Sequence, residues 1–354
     1  MRQHLRIALL FLITFSITLP ACKKRTIDEP VSPEPEPFDI YAAGREGYVA
    51  KYWKNGKAVN LGRGGVSSDA NAMVIAGNDV HIAGYEVNAS GKYVAKYWKN
   101  GVSTSLTDGS HDAFANDIFI QGNDIYIAGQ EMVPGKSIYQ AKYWKNGTSV
   151  VLTDGTQQAI ATGIALIGND VYVIGERRNP DWLSSITVYW KNGQLFDLSD
   201  QTRTADSQAI TVSGTDLYLL WSEIYNSAGQ SQTRYSKNLG SPVLINDGTA
   251  DVRGSSIFVN GSDVYVAGSG IVNGNNAIIA KYWKNGSPVI LSGGTESAFG
   301  LSIAVSGTDV FVGGYSDGRN GRYGPAQYWK NGSVLQLTDG SEPALVRKII
   351  VVRK

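Results

Sequence analysis

The chain has 354 residues and a mass of 38.1 kDa, with 42% hydrophobic and 18% charged residues. Lys and Arg number 32 against 31 Asp and Glu, which argues against the basic face of a nucleic-acid binder, and the apolar, aromatic content excludes disorder. A single Cys excludes an internal disulfide framework and a cysteine-based zinc cluster.

Arg2 and Arg6 precede an apolar run over residues 7–19. It is shorter than the roughly 20 residues a membrane helix needs, so it reads as a signal peptide. The run ends Leu19-Pro20-Ala21-Cys22. This resembles the bacterial lipobox, in which a small residue precedes a cysteine that is lipidated and becomes the mature N-terminus; Pro20 departs from the usual residue at its place. The resemblance implies a lipid anchor at Cys22 and a cell-envelope location, expected at the outer membrane on a side the sequence does not specify. Residues 23–37, KKRTIDEPVSPEPEP, read as a Pro-rich, semi-rigid tether. Residues 1–22, 23–37 and 38–354 are thus the expected signal peptide, tether and folded domain.

The remainder is a repeat. Tyr-Trp-Lys-Asn-Gly begins at Tyr52, Tyr97, Tyr143, Tyr189, Tyr282 and Tyr328, and a worn copy, Tyr-Ser-Lys-Asn-Leu-Gly, begins at Tyr235. A second motif, Asp followed by apolar, aromatic and apolar residues, keeps step from Asp39, Asp79, Asp124, Asp170, Asp216, Asp263 and Asp309.

Each unit reads as four strands. Strand A is an alternating run such as residues 116–121 or 302–306, and a Gly-x-Asp turn follows. Strand B usually ends in Gly (Gly84, Gly129, Gly175, Gly268 and Gly313). Strand C ends in Tyr-Trp, and Asn-Gly then makes a tight hairpin because both residues tolerate positive φ. Strand D is the apolar run before Thr-Asp-Gly, as at Val150-Val151-Leu152. Four-stranded units of this length are propeller blades. The expected fold is all-β, a seven-bladed β-propeller of antiparallel blades. Blade 1 combines residues 344–352 with 38–62, and blades 2 to 7 start near residues 68, 112, 158, 205, 251 and 297.

Tyr and Trp are adjacent on strand C and point to opposite sheet faces, so the six repeated Trp read as core pillars. The Lys before Tyr (Lys51, Lys96, Lys142, Lys281) is expected to lay its stem on an aromatic ring and keep its charge in water.

This pattern resembles the kelch and related propeller repeats, in which a Gly-ended strand B is followed by Tyr and Trp. It departs from kelch in its adjacent Tyr-Trp and in ending strand B with a double glycine only at Gly313-Gly314. More closely, it resembles bacterial lipoproteins with Tyr-Trp-Lys-Asn-Gly repeats. That resemblance covers about residues 38–352 and implies a fold without an activity.

The A–B and C–D turns share one face of the ring, and the variable B–C and D–A loops share the other. Variable loops on a rigid scaffold usually carry binding. Trp182 and Trp221 stand outside the repeated Trp position. With Tyr225, Arg177, Arg178 and Asp181 they form a candidate site on blades 4 and 5, suited to a sugar ring or a partner protein's loop. Trp221 has an alternative role, filling the space left by Ser236 where blade 5 lacks its Trp. A ring of Asp69, His111, Asp112, Asp206, Asp251, Glu296 and Glu342 lies at the starts of strand A, without the spacing of a metal loop. His111 beside Asp112 is the one candidate acid–base pair, and His81 takes the place of Tyr126, Tyr172 and Tyr265. No phosphate loop, nucleophile elbow or zinc signature appears, so no cofactor, metal or catalytic residue is expected.

The favoured reading is a monomeric, membrane-anchored, non-enzymatic propeller that binds a protein or glycan. The alternative is a cell-envelope enzyme acting on glycans, a lyase or hydrolase, through the same face.

Overall fold

Two motifs stay in phase around the chain because they touch. In every unit the Asn of the Asn-Gly turn adopts φ of 48° to 51°, and the following Gly is also left-handed in six of the seven. The Asn side chain then bridges back to the A–B turn. Asn100 Nδ2 donates to Asp79 Oδ1 at 2.7 Å, and Asn100 Oδ1 accepts from the Val80 N–H at 2.8 Å. The same pair of bonds recurs at Asn55, Asn146, Asn192, Asn238, Asn285 and Asn331. The Lys before that Asn reaches the other oxygen of the same Asp, as in Lys99–Asp79 at 2.7 Å and Lys237–Asp216 at 2.7 Å. Asp, Lys and Asn thus clasp the two turns on one face of each blade. The pairing holds the Asp79 carboxyl below its usual range, with Lys99 the largest cause and Asn100 next.

The computed structural model describes residues 37–178, 184–200, 203–225, 229–245, 247–249, 251–271, 277–317 and 323–354. Within the unit Pro37–Lys354, 28 strands form seven four-stranded antiparallel sheets arranged as a seven-bladed β-propeller. Blade 1 is closed by both ends of the repeat: its innermost strand is β28 (Ala344–Arg353), paired to β1 (Phe38–Glu46) from Phe38↔Arg353 to Glu46↔Ala344. The expected signal peptide, Cys22 and nearly all of the expected tether lie outside the described residues.

Strand A is longer than its sequence pattern suggests. β8 runs Ala113–Gln121 and β24 runs Ala298–Ser306. Each strand A, β28 included, carries a β-bulge, at Asn71, Asn116, Thr162, Gln208, Ser255, Leu301 and Arg347. The extra residue shifts the alternation by one, so only the part beyond the bulge reads as a strand.

Blades pack face to face, and the core lies between them. Tyr41, Ala43 and Ala50 of blade 1 pack with Met73, Ile82 and Trp98 of blade 2. Trp98 is fully buried and its Nε1 donates to Leu61 O of blade 1 at 3.2 Å. The other repeated Trp are 0–2% exposed, as core pillars should be. Strand B passes so close to strand A that a Cβ at Gly84, Gly129, Gly175 or Gly314 would strike the neighbouring strand's carbonyl; at Gly129 and Gly175 it would also meet the Trp144 or Trp190 ring. The register puts Gly314, rather than Gly313, at this place.

One expectation needs correction. The Lys before Tyr does not keep its charge in water: Lys96, Lys142 and Lys281 are 8%, 7% and 2% exposed. Each is paired instead, Lys142 with Glu131 at 2.5 Å and Lys281 with Asp247 at 3.0 Å. Lys281 does lie over a ring, that of Trp283 at 5.9 Å, and the Lys after Trp does so more generally, as Lys145 over Tyr126 at 5.2 Å. Strand D is exposed despite its apolar residues, with Val102 at 72% and Ile290 at 58%. These outer strands span only three or four residues, a length that limits edge-to-edge pairing.

Candidate functional site

At the level of the bulges the seven A strands surround a central channel. Its waist is lined by Asn71, Asn116, Asp117, Thr162, Arg347 and Lys348, among others, and holds about 110 Å³, well below the few hundred Å³ of ordinary ligand pockets. Bulge side chains link blade to blade here. Asn71 donates to Ala115 O at 2.9 Å and Asn116 to Ala161 O at 2.8 Å. Asp117 accepts from the Ile164 N–H at 3.0 Å. Burial pushes its carboxyl up, against the opposing pull of the Lys348 charge and that N–H. The waist is a structural belt.

On the B–C/D–A face, each blade aims two non-repeating side chains at the mouth. One follows the strand-B glycine position; the other is its cross-strand partner two residues before the bulge. The pairs are Arg45↔Leu345, Tyr85↔Asp69, Gln130↔Phe114, Glu176↔Ile160, Ser222↔Asp206, Ser269↔Arg253 and Tyr315↔Phe299. These positions differ from blade to blade while their neighbours repeat.

Aromatics concentrate in blades 7, 2 and 3. Phe114 lies 5.2 Å from Tyr85, 4.9 Å from Tyr93 and 5.9 Å from Tyr139, centroid to centroid. Across blade 1, Tyr315 stacks on Phe299 at 4.8 Å and meets Tyr323 edge-on at 4.8 Å. Arg45 bridges the gap with its guanidinium 5.3 Å from the Tyr323 ring centroid. Behind it, Arg347 Nε and Nη2 both donate to Asp69 Oδ2, at 2.9 and 2.8 Å, and Asp69 is fully buried. Arg45 Nε lies 3.8 Å from the same oxygen. Burial raises the Tyr85 hydroxyl pKa, and the Asp69 charge adds to it.

The expected aromatic platform on blades 4 and 5 is not assembled among the described residues. Trp221 is 1% exposed and its Nε1 donates to Glu223 Oε1 at 3.0 Å. Its register, opposite Arg234 while Ser236 lies opposite Leu219, sets it diagonally across from Ser236. In blade 4 the equivalent diagonal pair is Gly175 and Trp190. One indole fills the site in both blades, from strand B in one and strand C in the other. Trp182 and Asp181 lie outside the described residues. Tyr225 donates to Gln230 Oε1 at 3.2 Å within its own loop, and Arg177 pairs with Asp197 at 3.1 Å.

Arg177 and Arg178 do line a cleft of about 170 Å³ with Gln158, Ile160, Glu176, Ser185 and Asp206. Burial, with the Asp206 charge next, pushes Glu176 up to about 7, although its Oε1 accepts from both Ser207 N and Ser207 Oγ.

The carboxylates at the starts of strand A do not converge. Asp112 accepts from the Tyr93 N–H at 3.0 Å and Asp251 from the Ser231 N–H at 2.8 Å, each pinning strand C of the preceding blade. His111 meets Ser110 Oγ at 2.8 Å through Nδ1, so its bonding partner is Ser110 while Asp112 serves the backbone. Among the described residues no group of three His, Cys, Asp or Glu is placed to hold a metal. His81 is 5% exposed and bonds Tyr97 Oη at 2.6 Å, in the core position Tyr takes elsewhere.

No family model matches the chain, and no curated protein matches it. Among solved structures, the Pyrococcus horikoshii acylaminoacyl peptidase superposes with a TM-score of 0.48 and 11% identity over 86% of this chain and 53% of its own. A puromycin-hydrolyzing peptidase of Mycobacterium tuberculosis gives 0.38 and 11%, over 75% of this chain and 52% of its own. A thermostable family-43 glycoside hydrolase gives 0.36 and 14%, over 64% and 94%. The chain thus spans about half the length of the two peptidases.

Proposed function

We propose that the protein is a binding propeller of the cell envelope, held to a membrane by a lipid on Cys22, that engages a protein or glycan at the B–C/D–A mouth. One observation carries this reading. Seven aromatic rings and two guanidiniums gather over blades 7, 1, 2 and 3, and Arg45, Tyr85, Phe114, Phe299 and Tyr315 among them stand at positions where the repeat imposes no residue. Core packing is supplied elsewhere by the repeated Trp and Tyr. Partly exposed aromatics with arginine are the side chains that anchor binding surfaces. The test is capture of envelope material by the purified propeller, compared with a Tyr85→Ala/Tyr323→Ala variant that keeps the native melting temperature. Loss of capture in the variant supports the reading; capture unchanged by it refutes this placement of the site.

A second reading, a glycan-active enzyme, has one observation in its favour: Glu176, with a pKa of about 7, lies beside Asp206 in a cleft. A carboxyl still protonated near neutrality can serve as a general acid. Turnover of an envelope polysaccharide, abolished by Glu176→Gln with binding retained, would support it.

A further inference from the structure

The two arginines at the mouth are held in place yet keep donors to spare. Asp69 is fully buried and receives two hydrogen bonds from Arg347 on Oδ2. Arg347 therefore uses Nε and one terminal nitrogen, and among the described residues Nη1 has no hydrogen-bond partner. Arg45 is set by the Tyr323 face and by Asp69 at 3.8 Å. Among the described residues its guanidinium makes no hydrogen bond, and its buried Nε is unsatisfied. Two cations face one buried anion here, with Asp317 opposite Tyr323 in the ladder as the next carboxylate, and at a partly dry mouth a charge-assisted bond from the spare donors is worth more than in water.

The walls of this spot are flat. Tyr323 stands 41% exposed on one side and Tyr85 is half-buried on the other, next to Asp69 in the ladder. Their hydroxyls have no partner among the described residues. Rings of this kind take the C–H face of a pyranose, and planar guanidiniums take carboxylate or sulfate in a fork. Arg347 also lines the narrow waist, so the spot lies at the rim of the channel and spans a few side chains, whereas a stable protein partner needs about 800 Å² per side.

We infer that the mouth between blades 7, 1 and 2 binds an anionic sugar, its carboxylate or sulfate held by Arg45 and Arg347 and its ring laid against Tyr323 and Tyr85. This rests on the binding reading above and narrows it to a ligand class. The neighbouring Glu176 cleft is a separate feature and takes no part.

Calorimetry decides it, with oligogalacturonate as the carboxylated probe, a sulfated galactan oligomer as the sulfated one, and cellohexaose and an acidic peptide as controls. One or both anionic sugars should bind and the controls should not. Arg45→Gln should weaken that binding at least tenfold, and Tyr323→Phe should keep most of it. Arg45 is partly exposed and lightly bonded, so its variant should fold; an unchanged melting temperature verifies that. Equal binding of cellohexaose, or anionic binding indifferent to Arg45→Gln, overturns the anionic assignment and leaves the mouth as a binding site. Binding of the peptide alone overturns the sugar and retains a protein partner. Binding of none of the four overturns this inference, while the envelope capture experiment independently judges the broader reading.

Discussion

Arg347 holds Asp69 across 278 residues of sequence, with two hydrogen bonds to one carboxylate oxygen. The bond joins the closing strand of blade 1 to the first strand of blade 2, so it locks the ring at its seam. Removing one partner of a buried pair costs about 3–5 kcal/mol, and the partial exposure of Arg347 lowers that expectation to about 2–3 kcal/mol. Arg347→Ala should lower the denaturation midpoint accordingly. Arg347→Gln with Asp69→Asn should recover part of the loss, since no carboxylate is then buried without its partner, while Arg45 loses its counter-ion. A double variant no better than the single one would show that the pair does not act at the seam.

Blade 5 offers an exchange experiment. Trp221→Gly should empty an indole-sized site and destabilise by about 3–5 kcal/mol, the usual cost of deleting a buried aromatic. Adding Ser236→Trp restores the arrangement of blade 4, where Gly175 and Trp190 occupy the same diagonal. The double variant should regain at least half the loss in urea denaturation. Strict additivity of the two changes would contradict the shared site.

Glu176 should make the fold less stable toward alkaline pH. Its pKa rises from 4.5 to about 7 on folding, so between those values the native state keeps a proton that the unfolded chain has released. Stability then falls as pH climbs through this window, by about 3 kcal/mol at most at 1.36 kcal/mol per pH unit. Asp117, raised by burial in the channel, adds a slope of the same sign. Glu176→Gln should raise the melting temperature at pH 8 and leave it nearly unchanged at pH 4.

The turn clasp can be opened one unit at a time. Asn100→Ala places a residue with no side-chain bond at φ 51° and removes two hydrogen bonds. About 1–2 kcal/mol should be lost, from left-handed strain and the missing bonds together. Asn100→Gly relieves the strain alone and should recover only part of it. A Gly variant as stable as the native chain would mean the bridge contributes nothing.

The sequence made the blade count, the closure by both ends and the Trp pillars legible, because each recurs at fixed spacing and follows from strand alternation. It hid the bulges: one extra residue breaks the alternation without any mark in composition. The mouth escaped for a different reason. Attention to rare residues led to Trp221, which is rare at its position because the indole moved from strand C to strand B. The informative signal was variability itself. Arg45, Tyr85, Gln130, Glu176, Ser222, Ser269 and Tyr315 share one place in the unit and no common residue type. Several of their partners come from other blades, as Phe114 does for Tyr85 and Asp69 for Arg45, through packing that spacing along the chain does not encode.

The seam also sets an order of events during synthesis. β1 leaves the ribosome before any other strand of the wheel, yet its inner neighbour β28 follows some 300 residues later. Through all that time blade 1 carries a bare inner edge, while blades 2 to 7 complete themselves in turn. The nascent chain therefore grows as an open arc with one adhesive end. The interval before that end finds β28 is when two unfinished molecules are most able to swap strands.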